Sequence, residues 1–210
     1  MGKPTLLLLG AGGHARSCID VIERQGVFDI AGLVGTRDEL GRRLLSYPVV
    51  GTDEDLDTLA KVHRHALVAV GQIASPETRM RLHRLALAAG FELPAVVALG
   101  AYVSPHATVG AGSIVMHGAI VNAGADIGAN CIVNSRALLE HDVRVGDHCH
   151  VSTGAVVNGG VQIGAGSFIG SGCVIREGVR IGSGCVVGMG LALRQDLADH
   201  ARWADKAGHG

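Results

Sequence analysis

Polar side chains interrupt a stretch of the chain that otherwise consists mainly of valine, glycine and alanine. His141 and Asp142 are adjacent, Asn134 lies seven residues before His141, and His150 lies nine residues after it. Histidine is the usual general base near neutral pH, and acyl transfer from a thioester needs such a base for the attacking amine or hydroxyl. His141 is therefore a candidate base for acyl transfer, and the alternative is that it is a surface histidine on a turn.

Zinc is a second chemistry that a cluster of histidines suggests. His141, His148 and His150 lie within ten residues. They have no i, i+4 spacing on a helix, and no carboxylate has a compatible spacing, so we predict no metal site. We expect His106, His117 and His148 to be solvated residues on turns.

The segment that carries these residues has a period of six. Every sixth residue from Val103 to Leu193 is aliphatic, and most of these residues are β-branched. A short fixed period is typical of a solenoid, in which each hexad contributes one short strand and a turn. Three hexads would form a triangular coil of about 18 residues that is stable only when stacked on its neighbours. Because such a coil places Asn134, His141 and His150 on different faces, a site between subunits would be needed to unite them.

Two further positions of the hexad agree with a coil. The residue after the aliphatic is often glycine, as at Gly110, Gly128 and Gly146, and we interpret these glycines as corners that need permissive backbone angles. Three residues later comes a small residue, which must fit inside the coil. Four of the five cysteines occupy this position, so we interpret them as small buried residues without disulfides.

A second candidate site lies near the N-terminus, where the apolar run Leu6–Leu9 precedes the glycine turn 10–13 and an amphipathic stretch to about Arg24. A strand, a glycine turn and a helix form a phosphate-binding unit, because the helix N-terminus presents free N–H groups to an anion. Ala15 and Arg16 occupy the last spacing of the full glycine motif, so a tight turn without a ligand is the alternative. Gly71 should lie beside this turn, at the end of the third strand.

The first hundred residues alternate strands and helices, which predicts a small parallel α/β domain. The predicted elements after the first helix are the strand Ile30–Val34, the helix Asp53–Val62, the strand Ala66–Val70 and the helix Ser75–Ala89, with Ser75 as N-cap and Pro76 at its first position. The predicted organisation is an α/β domain at 1–100, a coil at 101–198 and a tail at 199–210.

Charge and hydropathy exclude several classes of function. Lys and Arg together number 18 and Asp and Glu 19, which argues against a nucleic-acid or anionic-membrane partner. The N-terminal apolar run is too short for an export signal, and no stretch approaches the roughly 18 apolar residues of a membrane span. We therefore expect a cytoplasmic protein.

An α/β domain with a glycine turn followed by a hexapeptide coil resembles the bacterial amino-sugar acetyltransferases of the PglD/NeuD type. The resemblance covers almost the whole chain, and its most specific part is the segment Ile132–Ser152, which is similar to that family's catalytic stretch. It implies a Rossmann-like α/β N-terminal domain and an all-β, left-handed parallel β-helix that assembles as a homotrimer. It also implies acetyl-CoA as co-substrate, bound between neighbouring coils, and a UDP-linked amino sugar as acceptor.

The resemblance implies roles for individual residues. His141 would be the general base, Asp142 would orient it, and Asn134 would lie near the reacting groups. The residues implied to contact acetyl-CoA are His150, Gly159, Gly170, Ser171, Gly188 and Met189. The residues implied to contact the sugar nucleotide are Gly10, Gly12, Gly13, His14 and Gly71.

Two features depart from the family pattern. An acidic pair usually follows the second strand and contacts the nucleotide or sugar, whereas this chain has no carboxylate there before Asp38. The usual closing segment over the cofactor is also absent, and Trp203 is interpreted as a cap on the solenoid. Two alternatives follow, O-acetylation of a sialic-acid-like sugar and a non-catalytic sugar-nucleotide-binding trimer.

Overall fold

The computed structural model describes residues 2–204, and it begins with a small α/β domain. Its strands are β1 (Thr5–Leu9), β2 (Asp29–Val34), β3 (Arg43–Leu44), β4 (Tyr47–Gly51) and β5 (His65–Val68), in the order β3-β4-β2-β1-β5. All neighbours pair in parallel except β3 and β4. The helices are α1 (Gly13–Gln25), α2 (Leu56–Leu59) and α3 (Glu77–Ala88), and 3₁₀ turns span Arg37–Glu39 and Asp53–Asp55. The predicted α/β domain is confirmed.

The helix predicted over 53–62 is much shorter than expected. Asp55 accepts hydrogen bonds from the backbone N–H and the hydroxyl of Thr52, at 2.8 and 3.0 Å, and this capping box holds a 3₁₀ turn. After Leu59 the chain lacks an apolar face that could extend the helix, because Val62 is 75 % exposed. The helix predicted over 75–89 begins at Glu77, with Pro76 at the N-cap and the hydroxyl of Ser75 accepting from the Glu77 N–H.

The second part of the chain is a left-handed parallel β-helix with three faces. The first face consists of β7 (Tyr102–Val103), β10 (Ile120–Val121), β13 (Leu138–Leu139), β16 (Val156–Val157), β19 (Val174–Ile175) and β22 (Ala192–Leu193). The second consists of β8 (Thr108–Val109), β11 (Asp126–Ile127), β14 (Arg144–Val145), β17 (Gln162–Ile163) and β20 (Arg180–Ile181). The third consists of β6 (Val96–Val97), β9 (Ile114–Val115), β12 (Ile132–Val133), β15 (His150–Val151), β18 (Phe168–Ile169), β21 (Val186–Val187) and β23 (Arg202–Trp203).

The period predicted from the aliphatic residues sets the register of every coil. Ile120 pairs with Leu138 and Leu138 with Val156, so the coil repeats every 18 residues and equivalent side chains stack. The inward aliphatic of each complete coil is buried, and Cys131, Cys149, Cys173 and Cys185 are fully buried free thiols. β6 and β23 extend the third face on either side of residues 101–198, and Trp203 packs half-buried on the end of the core. The remainder of the predicted tail, 205–210, lies outside the described residues.

The glycines that follow the aliphatic residues are not left-handed corners, and that prediction is wrong. A Cβ on Gly110 would lie 2.5 Å from the carbonyl carbon of Gly128 in the next coil, so the close approach of two backbones excludes a side chain. The left-handed corner comes two residues later, as at Gly112 (φ 69°) and Asn130 (φ 52°).

The two domains pack against each other through a shared apolar cluster and one buried arginine. Ile19 of α1 belongs to the same core as Ile114 and Ile132 of the third face. The guanidinium of Arg79, on α3, is fully buried, and it donates to the carbonyl oxygens of Val70 (2.5 Å) and Asn130 (3.0 Å) and to the Asn130 side-chain oxygen (2.8 Å). The interface therefore fixes the end of β5 against one corner of the coil.

Candidate active site

A cavity of about 740 Å³ lies between the α/β domain and the third face of the coil. Seven residues from the two domains that were predicted from the sequence as site residues line this cavity: His14, Gly71, Asn134, His150, Ser171, Gly188 and Met189. The remaining lining is mostly apolar, and Phe168 contacts His150 edge to face with ring centroids 5.2 Å apart. A largely apolar cavity with a few convergent polar groups is typical of a small-molecule site.

A chain of hydrogen bonds fixes the tautomer of His150 at the base of this cavity. The Nδ1 of His150 lies 2.6 Å from the carbonyl oxygen of Gln72, so Nδ1 carries the proton and donates it. Nε2 then accepts from the side-chain nitrogen of Asn134 at 3.1 Å, and the Asn134 oxygen accepts from the Ser135 N–H at 2.7 Å. One N–H of the Asn134 amide therefore remains available to a ligand.

The two histidines of this cavity are held neutral. Burial lowers the pKa of His14 to about 3, with smaller effects from the charge of Arg79 and from the neighbouring His150. Burial also lowers the pKa of His150 to about 4, against the hydrogen bond to the Gln72 carbonyl, which favours the charged form. The Nε2 of His14 and the side-chain oxygen of Gln72 are buried and make no hydrogen bond within the described residues.

His141 and Asp142 do not line this cavity. They form an exposed pair on the turn after β13, with side chains 63 % and 73 % accessible, and the Nδ1 of His141 donates to the Asp142 carboxylate at 2.9 Å. That hydrogen bond, with the charges of Asp142, Glu140 and Glu177, raises the pKa of His141. Asp142 has the left-handed conformation (φ 59°) that glycine adopts in the coils on either side, which turns its carboxylate back onto the imidazole.

Two glycines predicted to contact acetyl-CoA lie elsewhere. Gly170 is buried, and a Cβ there would meet the backbone of Gly188 at 2.6 Å, so it serves the stacking of coils and does not line the cavity. Gly159 lies beneath the ring of His141, because a Cβ on it would be 2.6 Å from Nε2.

A second cavity, of about 370 Å³, lies at the carboxyl ends of β1 and β2. Gly10 and Gly12 line it, and Gly13 begins α1, whose first turn has no acidic residue and no side-chain cap. Gly10 (φ 125°) must be glycine, because a Cβ would lie 2.6 Å from Val70. An uncapped helix N-terminus beside a glycine turn is an arrangement that commonly binds phosphate groups, and the phosphate site expected from the sequence stays a prediction.

Although no carboxylate directly follows the second strand, two 3₁₀ turns bring three carboxylates to this cavity. Glu39, Asp53 and Glu54 all line it. Glu54 pairs with Arg37 at 2.6 Å and Asp53 with Arg81 at 2.7 Å. The alternation of strands and helices did not predict these carboxylates at the cavity, since two of the three come from the 3₁₀ turn after β4.

Several groups at the domain interface lie where the sequence did not predict them. His148, expected to be solvated, is half-buried, with Nδ1 3.0 Å from the Asn130 amide nitrogen, and His117 pairs with Asp20 of α1 at 2.9 Å. The burial of Arg79 was not predicted, because a charged residue on a helix is usually solvated.

Within residues 2–204, no group of three or more His, Cys, Asp or Glu is placed to hold a metal ion. None of the described helices is long and apolar enough to cross a bilayer.

Two protein families match the chain. The PglD N-terminal domain matches residues 5–84, and the bacterial transferase hexapeptide family (six repeats) matches residues 160–194. A search of curated proteins gave no significant match.

Several solved structures resemble nearly the whole chain. The acetyltransferase domain of PglB from Neisseria gonorrhoeae, in complex with acetyl coenzyme A, is 32% identical with a TM-score of 0.87, over 96% of each chain. Perosamine N-acetyltransferase from Caulobacter crescentus, solved as a histidine-to-asparagine mutant with CoA and GDP-perosamine, is 33% identical with a TM-score of 0.89, over 96% of this chain and 93% of that one. WeeI from Acinetobacter baumannii, at 22% identity and a TM-score of 0.84 over 97% of this chain and 98% of that one, shares the fold.

Proposed function

The chain belongs to the sugar acetyltransferases that join a PglD N-terminal domain to hexapeptide repeats, and from this premise we propose that it transfers the acetyl group of acetyl-CoA to the amine of a nucleotide-linked amino sugar. The observation that carries the proposal is the cavity of about 740 Å³ in which His14 of the glycine-turn domain meets Asn134 and His150 of the coil. Acetyl-CoA is a cytoplasmic metabolite, so the proposal places the reaction in the cytoplasm.

In this proposal the two cavities bind different parts of the sugar nucleotide. The nucleotide diphosphate binds at the start of α1, where Gly10 and Gly12 leave the backbone open. The sugar extends past Gly71 toward the interdomain cavity, where the unpaired atoms of His14 and Gln72 bind its polar groups. The sequence resemblance implies UDP, whereas the Caulobacter neighbour binds GDP-perosamine, so both nucleotides belong in the test.

A homotrimer is part of the proposal, and the first face of the coil supports it. Its outward side chains form a continuous apolar ladder, the open apolar face, which comprises Tyr102, Ile120, Leu138, Val156, Val174 and Ala192. The outward side chains of the second face are polar, as at Arg144 and Gln162, and the third face is covered by the α/β domain or lines the cavity. An exposed apolar stripe of this kind is typical of a subunit interface.

The open apolar face also has the two halves of the site on its opposite edges. The turn with Asn134 precedes β13, and the turn with His141 follows it. In a closed ring of three, each copy presents two different surfaces to its neighbours. Burying this face would therefore bring His141 of one copy to the cavity edge near Asn134 of the next.

In the proposed reaction, the sugar amine attacks the thioester carbonyl carbon while Nε2 of His141 removes a proton from the nitrogen. The carbon–sulfur bond then breaks, the amide forms, and the CoA thiolate takes the proton back from His141. Asp142 stabilises the imidazolium through Nδ1. The backbone N–H of Gly159 donates no hydrogen bond to the described residues, and Gly159 lies beneath the His141 ring, so we assign this N–H to the thioester oxygen.

The test of the activity is thiol release from acetyl-CoA with a panel of acceptors: GDP-perosamine, UDP-linked 4-amino sugars and sialic acids. We expect release only with a nucleotide-linked amino sugar, and the preferred member identifies the nucleotide. Release with a sialic acid alone would assign O-acetylation instead. No turnover together with no binding of acetyl-CoA would leave a sugar-nucleotide-binding trimer.

Subunit mixing tests whether the site lies between copies. His141→Ala and Asn134→Ala should each be inactive alone, but a co-refolded 1:1 mixture should regain about a quarter of the native activity, because about one interface in four then has both native residues. Each variant refolded alone is the control. If the mixture stays inactive while forming trimers, His141 and Asn134 act within one chain.

A further inference from the structure

A single glycine beneath the imidazole of His141 distinguishes this coil from every other. Gly159 occupies the same hexad position as His141 itself, one coil further along the solenoid. Among the residues at this position from Ala111 to Met189, Gly159 is the only glycine. The coil therefore does not need glycine at this position of the repeat.

The backbone of Gly159 gives no reason for a glycine either. Its φ lies outside the left-handed region, unlike that of the neighbouring Gly160 (φ 67°). A Cβ on Gly159 would meet no backbone atom among its three nearest neighbours, in contrast to Gly110, Gly164 and Gly170, where a Cβ would meet the next coil. It would meet only the ring of His141, at 2.6 Å from Nε2, 2.7 Å from Cε1 and 3.3 Å from Cδ2.

From these contacts we propose that Gly159 is a positioning residue whose missing side chain lets the His141 ring lie along the coil axis with Nδ1 on Asp142 and Nε2 free. Gly124, in the coil below, frames the pair from the other side, since a Cβ there would lie 2.4 Å from an Asp142 carboxylate oxygen. The glycines of the two flanking coils thus leave room for the charged pair on either side of its turn. The positioning role rests on the proposed function, in which His141 is the base.

The geometry defines the effect of adding one methyl group. In Gly159→Ala the backbone N–H is kept, and the imidazole must swing away from a new carbon that would otherwise overlap Nε2. If the ring moves by about 1 Å, it cannot both donate to Asp142 and keep Nε2 in position to take the proton from the attacking amine. Misplacement of this size lowers the rate by about 100-fold.

The first experiment is a double-mutant cycle on kcat, with GDP-perosamine or the best acceptor of the panel. Gly159→Ala should lower kcat by about 10- to 100-fold, change KM for acetyl-CoA by less than about threefold, and have no further effect in a His141→Ala background. Gly100→Ala is the control, since a Cβ there meets nothing within 4 Å. An effect of Gly159→Ala that persists without His141 would overturn the proposal, because the methyl group would then act on a substrate or on the Gly159 N–H directly.

The second experiment needs no substrate, so its failure is separate from failure of the proposed function. The His141 ring signals are followed by NMR across a pH titration of the free protein. Gly159→Ala should move the titration midpoint to lower pH, as loss of the Asp142 hydrogen bond requires, while Gly100→Ala should not. An unchanged His141 midpoint and chemical shift in Gly159→Ala would overturn the proposal even in an active enzyme.

Discussion

The two histidine sites of this molecule use the same side chain in opposite electrostatic settings. His150 is buried between the domains, donates to a carbonyl and stays neutral, with its pKa lowered to about 4. His141 stands in solvent beside three carboxylates, and its hydrogen bond to Asp142 raises its pKa. The difference shows that the burial and the hydrogen-bond partner of a histidine decide what it can do in the site. A neutral, fixed imidazole can orient a ligand, whereas an exposed one with a carboxylate partner can take up and release a proton.

The largest expected effect separates the two sites by activity. His141→Ala should lower kcat by about 10²- to 10⁴-fold, because a general base contributes rate of that order, with little change in stability. The measurement is steady-state kinetics of thiol release, with the exposed His106→Ala as control. A variant that keeps more than about half of the native kcat would contradict the assignment of the base.

The buried site depends instead on the interface behind it. Arg79→Met should lower the free energy of unfolding by about 3 kcal/mol, because it leaves the Val70 and Asn130 oxygens buried without a donor. Chemical denaturation measures the loss. Arg84→Met, on the exposed side of the same helix, should change stability by less than about 0.5 kcal/mol, and equal stability of the two variants would show that the buried hydrogen bonds contribute nothing net.

The lowered pKa values of His14 and His150 make stability depend on pH. Both rings are neutral in the fold but protonate near pH 6.5 when unfolded, so the unfolded state takes up more protons and stability falls as pH drops from about 6.5 toward 4. Each ring contributes at most about 1.4 kcal/mol per pH unit within this window. His150→Gln should flatten the dependence measured between pH 7 and 5, and His106→Gln should not. An unchanged slope in His150→Gln would mean that His150 is already charged in the fold.

The smallest expected effect tests the carboxylate beside His141. Asp142→Asn removes the main cause of the raised His141 pKa, so the acid limb of the kcat–pH profile should move to lower pH and the plateau should fall by about tenfold. Glu177→Gln removes only a charge with a smaller effect on the His141 pKa, so it should shift the acid limb less. A larger shift in Glu177→Gln than in Asp142→Asn would contradict the role given to the hydrogen bond.

The coil and the polar turn could be predicted because both depend on local sequence. A period of six places each inward valine or isoleucine and each small residue independently of the α/β domain. The positions of the corners were harder to predict from the sequence. The glycines after the aliphatic residues are needed because a side chain there would overlap the next coil, whereas Asn130, Asp142 and His148 adopt the left-handed corner conformation without being glycine. Only the stacked coils show whether a glycine is needed for its left-handed backbone conformation or for the close approach of the next coil.

By itself, the sequence determined the solenoid, the glycine turn and the separation of Asn134 from His141, since each follows from spacing along one chain. Only the tertiary structure decided that the Gln72 carbonyl lies on His150 and that Arg79 holds the Asn130 corner. These contacts join residues 78 and 51 positions apart across the domain interface. The physical reason is that the fit of two packed surfaces sets such contacts, and no repeat in the sequence encodes that fit.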